Sequence, residues 1–444
     1  MTYPEALKYL ESLVNFEKSD GYNYRTSFKL ERMKRLAALL GDPQRSVRSI
    51  HIAGSKGKGS TASYVHSMLL SAGFKTGLYT SPHLVSFRER IRIGAELISE
   101  EDLARILDRI KSVIESSMKE MTPTFFEVCT SLAFIYFKEK KADIVVYEVG
   151  LGGRLDATNL LEPLVSAITP LSYEHADKLG DTLTDIAREK CGIVKSGSIC
   201  VSAPQEEEAL NVIEETCRER RVRLILVGRE INFKELESVE YSNRFDVSGP
   251  SADYKGVETS LLGPHQAINA STAIGIIEAL KLKGVVVPER AVRNGIRDTR
   301  WPGRLEVIER RPFVVLDGAH NKASARILIE SIKKIFRYRR LILLLGVSKD
   351  KDIRGILEEL LPWSDTVILT RSKVTSRALD PVKMEEDILN MDHGVKDVIL
   401  TSNTEEALSS ALSMASPEDL VLITGSLFVV GEVKEHYQRC VKPV

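Results

Sequence analysis

Short apolar runs of strand length alternate with helix-like segments along most of this chain, and this alternation constrains the fold more than any other feature. The strand-like runs of the N-terminal part include residues 144–149, 164–169, 198–202 and 224–227. Helix-like stretches such as residues 126–140 and 206–220 lie between them. This alternation predicts a mostly parallel sheet with helices on both faces.

A glycine-rich stretch, HIAGSKGKGS at residues 51–60, stands where a strand-like run passes into a helical pattern over residues 61–71. The backbone N–H groups of such a turn surround an anion at a helix N-terminus, where the helix dipole already favours negative charge. We therefore predict a phosphate-binding loop (P-loop). Lys58 would reach the β- and γ-phosphates of a nucleotide, and the hydroxyl of Ser60 would help to hold Mg²⁺.

The match to the usual P-loop pattern is incomplete. Ile52 stands where the pattern has its first glycine, and Gly59 separates Lys58 from the hydroxyl residue. A glycine-rich turn that packs tightly and binds nothing is the alternative. We favour nucleotide binding because a GKGS sequence at a strand–helix junction has little structural use otherwise.

Two interruptions divide the alternating pattern. Residues 239–262 are polar and punctuated by glycine and serine, which predicts a hairpin before a helix over residues 263–280. The segment 300–304 precedes a renewed alternation, whose strand-like runs are residues 313–316, 341–346, 366–370, 397–400 and 420–424. Because 444 residues exceed one ordinary core, we expect two α/β domains. Residues 1–299 would form a P-loop ATPase-like domain with a mostly parallel sheet, and residues 300–444 a smaller Rossmann-like domain.

The composition excludes several classes of function. The formal net charge is zero, with 62 basic and 62 acidic residues, whereas nucleic-acid-binding proteins usually carry a basic excess. No apolar run approaches the roughly 20 residues of a membrane-spanning helix, and the N-terminus is typical of an amphipathic helix, not of a signal peptide. The five cysteines are widely spaced, which disfavours a disulfide framework or structural zinc. We expect a cytoplasmic monomer that binds small molecules, with no nucleic-acid or membrane partner.

Several side chains that suit metal binding follow predicted strands. Glu148 ends one strand and precedes a glycine-rich run, so its carboxylate should point into the ligand crevice of the sheet and could ligate Mg²⁺. Ser81 follows the strand after the P-loop helix, and its hydroxyl could reach the same metal, although a Ser-Pro pair usually marks a turn. His175 could ligate a second divalent ion or contact the γ-phosphate, or it could be a hydrogen-bonded loop histidine.

Other polar residues stand at positions that suit nucleotide contacts. Residues 317–321, of sequence DGAHN, follow the first strand of the second domain, and Arg304 just before it suits a bidentate phosphate contact. The amides of Gln266 and Asn269 open a helix and could touch the nucleotide. Lys190 has no role that its surroundings in the sequence suggest, because a lysine on such a helix is usually solvated.

Taken together, these stretches resemble the folylpolyglutamate synthase/dihydrofolate synthase family of the Mur ligase superfamily. They occur in the family's order over nearly the whole chain. The stretches are HIAGSKGKGS from His51, YTSPHL from Tyr79, FRERIRI from Phe87, EVGLGGRLDATN from Glu148, EHADKLGDT from Glu174, IAREKCGIVK from Ile186, GPHQAINA from Gly263, RWPGRLEV from Arg300, LDGAHN from Leu316 and TGSLFVVGEV from Thr424. The run after Glu148 separates this family from the peptidoglycan-building Mur ligases.

The resemblance implies a set of site residues. For ATP these are Gly57, Lys58, Gly59, Ser60, Asn269, Arg304, Asp317 and His320. For Mg²⁺ they are Ser81, Glu148 and His175, and a monovalent cation is a further candidate cofactor. Lys190 would be carbamylated, which replaces its positive charge by a carboxylate-like group; with Lys58, Glu148 and His175 it would form the catalytic set. The pterin pocket would draw on Thr124, Phe125, Phe126 and the region of Asp156, because aromatic rings suit a flat heterocycle.

The implied reaction is ATP-dependent amide formation between a reduced folate and L-glutamate through an acyl phosphate, in a cleft that the second domain helps to form. Two departures from the family pattern are Lys56 and Glu174, where the family commonly has Asn and Asp. An enzyme that also joins dihydropteroate to glutamate is an open alternative. A P-loop kinase or NTPase switch is a second one, and a pure binding module is the least favoured.

Overall fold

The computed structural model describes residues 1–17, 22, 24–173, 176–236, 241–375, 377–391 and 394–441. The chain divides into two compact units. Unit 1 comprises Met1–His83, Phe87–Ser260 and His265–Arg300, and unit 2 comprises Leu84–Ser86, Leu261–Pro264 and Trp301–Val444.

Unit 1 contains a large sheet, a small sheet and the helices that pack on them. Its helices are α1 Tyr3–Glu11, α2 Tyr24–Ser27, α3 Leu30–Leu39, α4 Lys58–Ser71, α5 Glu100–Ser117, α6 Phe125–Glu139, α7 Ala176–Leu179, α8 Leu183–Cys191, α9 Glu207–Glu219, α10 His265–Leu282 and α11 Glu289–Asp298. Its strands are β1 Arg48–Ala53, β2 Thr76–Tyr79, β3 Ile91–Ile93, β4 Glu96–Leu97, β5 Ile144–Glu148, β6 Val165–Ile168, β7 Ile199–Ser202, β8 Arg223–Leu226, β9 Asn232–Glu235, β10 Asn243–Ser248 and β11 Asp253–Thr259.

The large sheet has the strand order β4-β3-β2-β5-β1-β6-β7-β8. All of its pairs are parallel except β2 with β3 and β3 with β4, so the predicted mostly parallel sheet is confirmed. Strand β1 lies between β5 and β6, and the chain therefore changes direction across the sheet at β1. In open α/β sheets, ligands bind beyond the carboxyl ends of the strands at such a switch point.

The predicted excursion of residues 239–262 forms an antiparallel pair, β10 with β11, in a three-stranded sheet with β9; residues 237–240 lie outside the described residues. Helix α5 shows why the helical segments fold as they do. Its buried residues recur at helical spacing (Leu103, Ile106, Leu107, Ile110 and Ile114), and Ser99 caps its N-terminus by accepting from Asp102 N at 3.0 Å.

Unit 2 is a smaller α/β body. Its helices are α12 Lys322–Ile335, α13 Ile353–Leu360, α14 Pro381–Leu389, α15 Thr404–Met414 and α16 Leu427–His436, and its strands are β12 Glu306–Arg310, β13 Phe313–Leu316, β14 Leu341–Leu345, β15 Thr366–Leu369, β16 Asp397–Leu400 and β17 Leu420–Thr424. The strand order is β12-β13-β17-β14-β15-β16, parallel except for β12 with β13. Within the described residues of both units, the helices are too short or too polar to span a membrane.

Candidate active site

The P-loop joins β1 to α4 at the switch point of the large sheet. The register pairs Ile52 with Glu148 on one side of β1 and Ala53 with Ile168 on the other. Gly57 adopts a left-handed conformation (φ +80°) and ends the loop, so α4 begins at Lys58 and not at residue 61. No side chain among the described residues caps this helix end, which leaves its first amide N–H groups available to an anion.

Two glycines let the P-loop backbone approach its neighbours closely. A Cβ atom on Gly54 would lie 1.8 Å from Thr169 Oγ1, and one on Gly57 would lie 2.1 Å from Asn269 Oδ1. Asn269 is buried in the first turns of α10 and donates its amide to Gln266 Oε1 at 3.1 Å. The predicted nucleotide residue Asn269 therefore lies directly against the P-loop.

The end of β6 fixes the middle of the P-loop. The backbone N–H groups of Ser55 and Lys56 both donate to Pro170 O at 3.1 Å. Ser55 Oγ donates to Ser172 O and accepts from Ser172 N, each at 3.1 Å. At Lys56 this contact uses only the backbone N–H, so it does not depend on which side chain stands at this position.

Two lysines donate to one carbonyl oxygen of the P-loop. Lys58 Nζ lies 3.1 Å from Gly54 O, and Lys190 Nζ lies 2.9 Å from the same atom. Lys190 is 5% exposed, so it is not the solvated lysine that its sequence position alone suggested. Two ammonium groups on one acceptor repel each other, because their charges lie close together in a partly desolvated site.

Glu148 and Ser81 lie together at the neighbouring strand ends. Glu148 is 5% exposed, and its Oε2 accepts from the backbone N–H of Ser81 at 3.2 Å. The third predicted metal ligand, His175, and the neighbouring Glu174 lie outside the described residues. In the part of the chain that the structure describes, there is no cluster of three or more His, Cys, Asp or Glu side chains that could hold a metal ion.

The predicted pterin residues belong to the N-terminus of α6 and to the loop after β5. Thr124 caps α6 in a capping box with Glu127, which also pairs with Arg32 at 2.6 Å. Phe125 is 6% exposed, and the guanidinium of Arg90 lies 5.2 Å from the centre of its ring. Phe126 is half-buried, and its ring lies against Gly150, where a Cβ atom would be 2.5 Å away. Of the two rings, Phe126 is therefore the one with a surface for a ligand.

Asp156 is fully buried and organises the glycine-rich loop. Its Oδ1 accepts from Thr158 N at 3.0 Å and from Thr158 Oγ1 at 2.5 Å, and its Oδ2 accepts from Leu151 N at 3.0 Å. Burial raises the pKa of this carboxyl, and the hydrogen bonds oppose the rise.

Thr158 Oγ1 connects this loop to His51 on β1. The hydroxyl lies 2.8 Å from His51 Nε2, and since it already donates to Asp156, the imidazole is the donor. Burial lowers the pKa of His51 to about 3, so the ring is neutral at physiological pH. The loop after β5 and the strand that carries the P-loop are thus joined by a hydrogen-bonded chain of three side chains.

The remaining predicted nucleotide residues lie in unit 2, at the carboxyl end of β13. The carboxylate of Asp317 accepts from Leu305 N and Ala319 N, both at 2.9 Å. Arg304 donates to Gly303 O at 3.0 Å, and His320 Nδ1 lies 2.8 Å from Gly318 O. That last contact makes Nδ1 the protonated nitrogen and leaves Nε2 as the acceptor side of the ring.

Sequence reasoning gave no role to several residues that shape this site. Thr169 lies against Gly54, and its position at the end of a predicted strand was a usable signal. Arg154 and Glu189 form an ion pair at 2.7 Å next to Lys190, and Tyr24 donates to Glu189 Oε2 at 3.3 Å. Nothing in the sequence connects residues so far apart, so this contact had no local signal.

Comparisons with known proteins match both parts of the chain. The Mur ligase middle domain model matches residues 52–277, and the model of the Mur ligase glutamate ligase domain matches residues 303–427. A Bacillus subtilis dihydrofolate synthase/folylpolyglutamate synthase is 32% identical over 438 residues, which cover 98% of each chain. The chain belongs to the folylpolyglutamate synthase/dihydrofolate synthase family of the Mur ligase superfamily.

Solved structures of folylpolyglutamate synthases extend the similarity to the whole fold. The enzyme of Thermotoga maritima is 35% identical with a TM-score of 0.85, and the match covers 99% of this chain and 97% of that one. The Mycobacterium tuberculosis enzyme, solved as a complex with ADP, is 30% identical with a TM-score of 0.88 and coverage of 98% and 97%. This folylpolyglutamate synthase/dihydrofolate synthase family member is an ATP-dependent ligase, and neither a P-loop kinase, an NTPase switch nor a pure binding module is supported.

Proposed function

We propose that this chain adds L-glutamate through an amide bond to the glutamyl chain of a reduced folate and consumes ATP in doing so. The observation that carries the proposal is the switch point of the large sheet. There an uncapped helix N-terminus, two lysines on Gly54 O and the carboxylate of Glu148 meet at neighbouring strand ends. Full-length similarity to folylpolyglutamate synthases supports the choice of substrates.

The proposed reaction has two steps. A carboxylate oxygen of the folate's terminal glutamyl group attacks the γ-phosphorus of ATP, so ADP leaves and an acyl phosphate forms. The amine of L-glutamate then attacks the acyl carbon, loses a proton and expels phosphate. Lys58 and the N–H groups of Gly57, Gly59 and Ser60 stabilise charge on the transferred group, because such reactions depend on positioning and electrostatics.

Magnesium fits the residues beside the P-loop. Glu148 and Ser81 offer hard oxygen donors, and Mg²⁺ commonly takes one or two carboxylates together with phosphates and water. Together with His175, these residues would hold the ion, which would neutralise charge on the phosphates.

We also propose that Lys190 is carbamylated. A neutral lysine amine that adds carbon dioxide and releases a proton becomes an anion. The repulsion between Lys58 and Lys190 at Gly54 O would then become an attraction, which supports the modification. Lys190 would release Gly54 O and act with Lys58, Glu148 and His175 in the catalytic set.

The two predicted domains, residues 1–299 and 300–444, have separate tasks in this proposal. The first binds the phosphates, with Asn269 as a nucleotide contact, and the second supplies Arg304, Asp317 and His320 to the nucleotide and binds the incoming glutamate. The first domain also binds the folate. Phe126 stacks on the pterin, Thr124 shapes the pocket edge, and Phe125 and Asp156 support the pocket from within the protein.

An isotope experiment tests the acyl phosphate directly. A reduced folate whose terminal carboxylate carries an oxygen label is incubated with ATP, L-glutamate and the enzyme. The label is expected in the released phosphate, since the attacking oxygen stays with phosphorus when the amine displaces phosphate. Glutamylated product with unlabelled phosphate would contradict this step.

A second activity on dihydropteroate is favoured by the name of a full-length relative, the B. subtilis dihydrofolate synthase/folylpolyglutamate synthase. The same carboxylate chemistry would join dihydropteroate to L-glutamate. ADP release that depends on dihydropteroate and glutamate is the expected result for a bifunctional enzyme. ADP release with tetrahydrofolate and glutamate, but not with dihydropteroate and glutamate, would restrict the enzyme to chain extension.

A further inference from the structure

The glycine-rich loop after β5 lies directly on the last turn of α8, the turn that carries Lys190. A Cβ atom on Gly153 would lie 2.8 Å from Glu189 O and 3.1 Å from Lys190 Cα, and one on Gly192 would lie 2.4 Å from Arg154 Cα. The backbone N–H of Arg154 donates to Glu189 O at 2.8 Å. A shift of this loop must therefore move the backbone of Lys190.

Arg154 and Glu189 form an ion pair next to this contact between the loop and α8, and Tyr24 contacts both Glu189 and the loop. Arg154 Nε and one terminal guanidinium nitrogen donate to the same oxygen, Glu189 Oε1, at 3.1 and 2.7 Å. The other oxygen, Oε2, accepts from the hydroxyl of Tyr24 at 3.3 Å. Tyr24 is 2% exposed, and its hydroxyl would lie 2.4 Å from a Cβ atom on Gly152, so it also contacts the loop.

The burial of the Glu189 carboxylate explains why it pairs with Arg154. The Glu189 side chain is 10% exposed, whereas that of Arg154 is half exposed. A carboxylate so far from water needs a cation and hydrogen-bond donors. Arg154 supplies the charge from the solvent side, and Glu189 in turn raises the pKa of the guanidinium.

Other side chains donate to carbonyl oxygens in and just after the same turn. Asn159 Nδ2 donates to Gly192 O at 3.3 Å, Ser166 Oγ donates to Ile193 O at 3.0 Å, and Arg220 donates to Cys191 O and Val194 O. The end of α8 is thus fixed by these side-chain donors to its carbonyl oxygens and by the Arg154, Glu189 and Tyr24 side chains.

We propose that Arg154, Glu189 and Tyr24 form a clasp that positions Lys190 beside the P-loop. The three are positioning residues, because their contacts are with the helix end and the loop. The inference rests on the proposed function, in which Lys190 acts at the site of phosphoryl transfer. Opening the clasp displaces Lys190 and slows the chemical step more than it weakens folate binding, because Asp156 holds its part of the loop through its own hydrogen bonds to Leu151 and Thr158.

The test compares Arg154→Met with Arg154→Lys and with Arg188→Met. Arg188 lies on the same helix and makes an exposed ion pair with Asp185 at 3.9 Å, so its variant controls for loss of a positive charge on α8. Steady-state kinetics with ATP, tetrahydrofolate and L-glutamate are measured per folded enzyme, and thermal unfolding measures the folded fraction.

Arg154→Met is expected to lower kcat roughly tenfold to a hundredfold, because a misplacement of about 1 Å has effects of this size, with KM for the folate within about twofold. Arg154→Lys should recover most of the loss, since both guanidinium contacts go to one oxygen that a single ammonium can reach. Arg188→Met should match the wild type. Tyr24→Phe, which keeps the ring, should show a smaller fall in kcat.

Equal kcat values for folded Arg154→Met and Arg188→Met would overturn the clasp, and so would a loss that Arg154→Lys does not repair. A wild-type enzyme that makes no glutamylated folate would instead overturn the proposed function, before any variant is compared.

Discussion

Individual residues of the P-loop are specified by steric contact as much as by charge. Gly57 is the clearest case, because its left-handed backbone and its contact with Asn269 both require glycine. The sequence predicted a phosphate-binding glycine here, but it did not reveal the partner. Asn269 is more than two hundred residues away, and no local pattern encodes that distance.

Gly57→Ala is expected to weaken nucleotide binding, because the added Cβ atom must displace the Asn269 amide at 2.1 Å. Gly41→Ala is the matched control, since Gly41 has the same φ of +80° and has nothing within 4 Å of its Cβ position. Both variants carry the backbone penalty of about 1 kcal/mol. Only Gly57→Ala should raise the Kd for ATP, by about tenfold or more. Equal Kd values would contradict the proposed fit of the loop.

His51 gives the fold a pH dependence whose sign follows from burial. Its pKa is lowered from 6.5 to about 3 in the folded state, so the unfolded chain binds the extra proton first as the pH falls. The stability that neutral His51 contributes is present above pH 6.5 and is lost between pH 6.5 and 3.

His51→Gln keeps a donor for Thr158 and removes the titration. From pH 7 to pH 5, the free energy of unfolding, measured with urea, should therefore fall by about 2 kcal/mol more for the wild type than for His51→Gln. If the free energies of unfolding of the wild type and His51→Gln changed with pH in parallel, His51 would have to be solvated in the folded protein.

At the scale of elements, the nine strands and four helices whose bounds the sequence predicted lie within a few residues of those observed. The structure departs from the prediction where local patterns are weak. Strands β3, β4 and β12, which lie at the margins of the two sheets, are short and partly polar, so they carry no period-two signal of their own. They form because a neighbouring strand offers an edge to pair with: β2 pairs with β3, β3 with β4, and β13 with β12.

Helices α3 and α6 are joined by a buried ion pair beside the proposed pterin pocket. Arg32 Nε lies 2.6 Å from Glu127 Oε2, with side-chain exposures of 13% and 8%, and Glu127 also accepts from the backbone N–H of Thr124. Arg32→Met should destabilise the protein by about 3 kcal/mol, because it leaves a buried carboxylate without its cation. KM for the folate should rise more than KM for ATP.

Lys34→Met on the same helix is the control for that variant. Its pair with Glu31 is exposed and 3.9 Å long, so a change of less than about 0.5 kcal/mol is expected. Equal losses in the free energy of unfolding for Arg32→Met and Lys34→Met would contradict a stabilising role of the Arg32–Glu127 ion pair between the two helices.

At the scale of the whole molecule, the two units do not coincide with two continuous segments of the chain. Residues 84–86 and 261–264 belong to unit 2 although both lie within the first 300 residues. Leu84 packs on the unit 2 core, and its carbonyl oxygen would lie 2.0 Å from a Cβ atom on Gly431. Sequence reasoning placed one boundary at residue 300, because short segments that cross between cores leave no composition signal.

Leu84→Ala should therefore destabilise unit 2 by about 2 kcal/mol, the scale of burying one leucine side chain. Both tryptophans of the chain, Trp301 and Trp363, lie in unit 2, so their fluorescence reports its unfolding. The fluorescence transition in urea should move to lower concentration, while Leu282→Ala, at a half-exposed position of unit 1, should leave it unchanged. An unchanged fluorescence transition in Leu84→Ala would contradict the packing of Leu84 on the unit 2 core.

The central claim is that this chain couples ATP cleavage to amide formation between a folate and L-glutamate. The most direct measurement is ADP release by the purified protein with Mg²⁺ and ATP, with tetrahydrofolate and L-glutamate supplied separately and together, alongside the mass of the folate product. Sustained ADP release is expected only when both substrates are present, in step with a product heavier by one glutamyl residue. Rapid ADP release with neither substrate, or with no heavier product, would contradict the account.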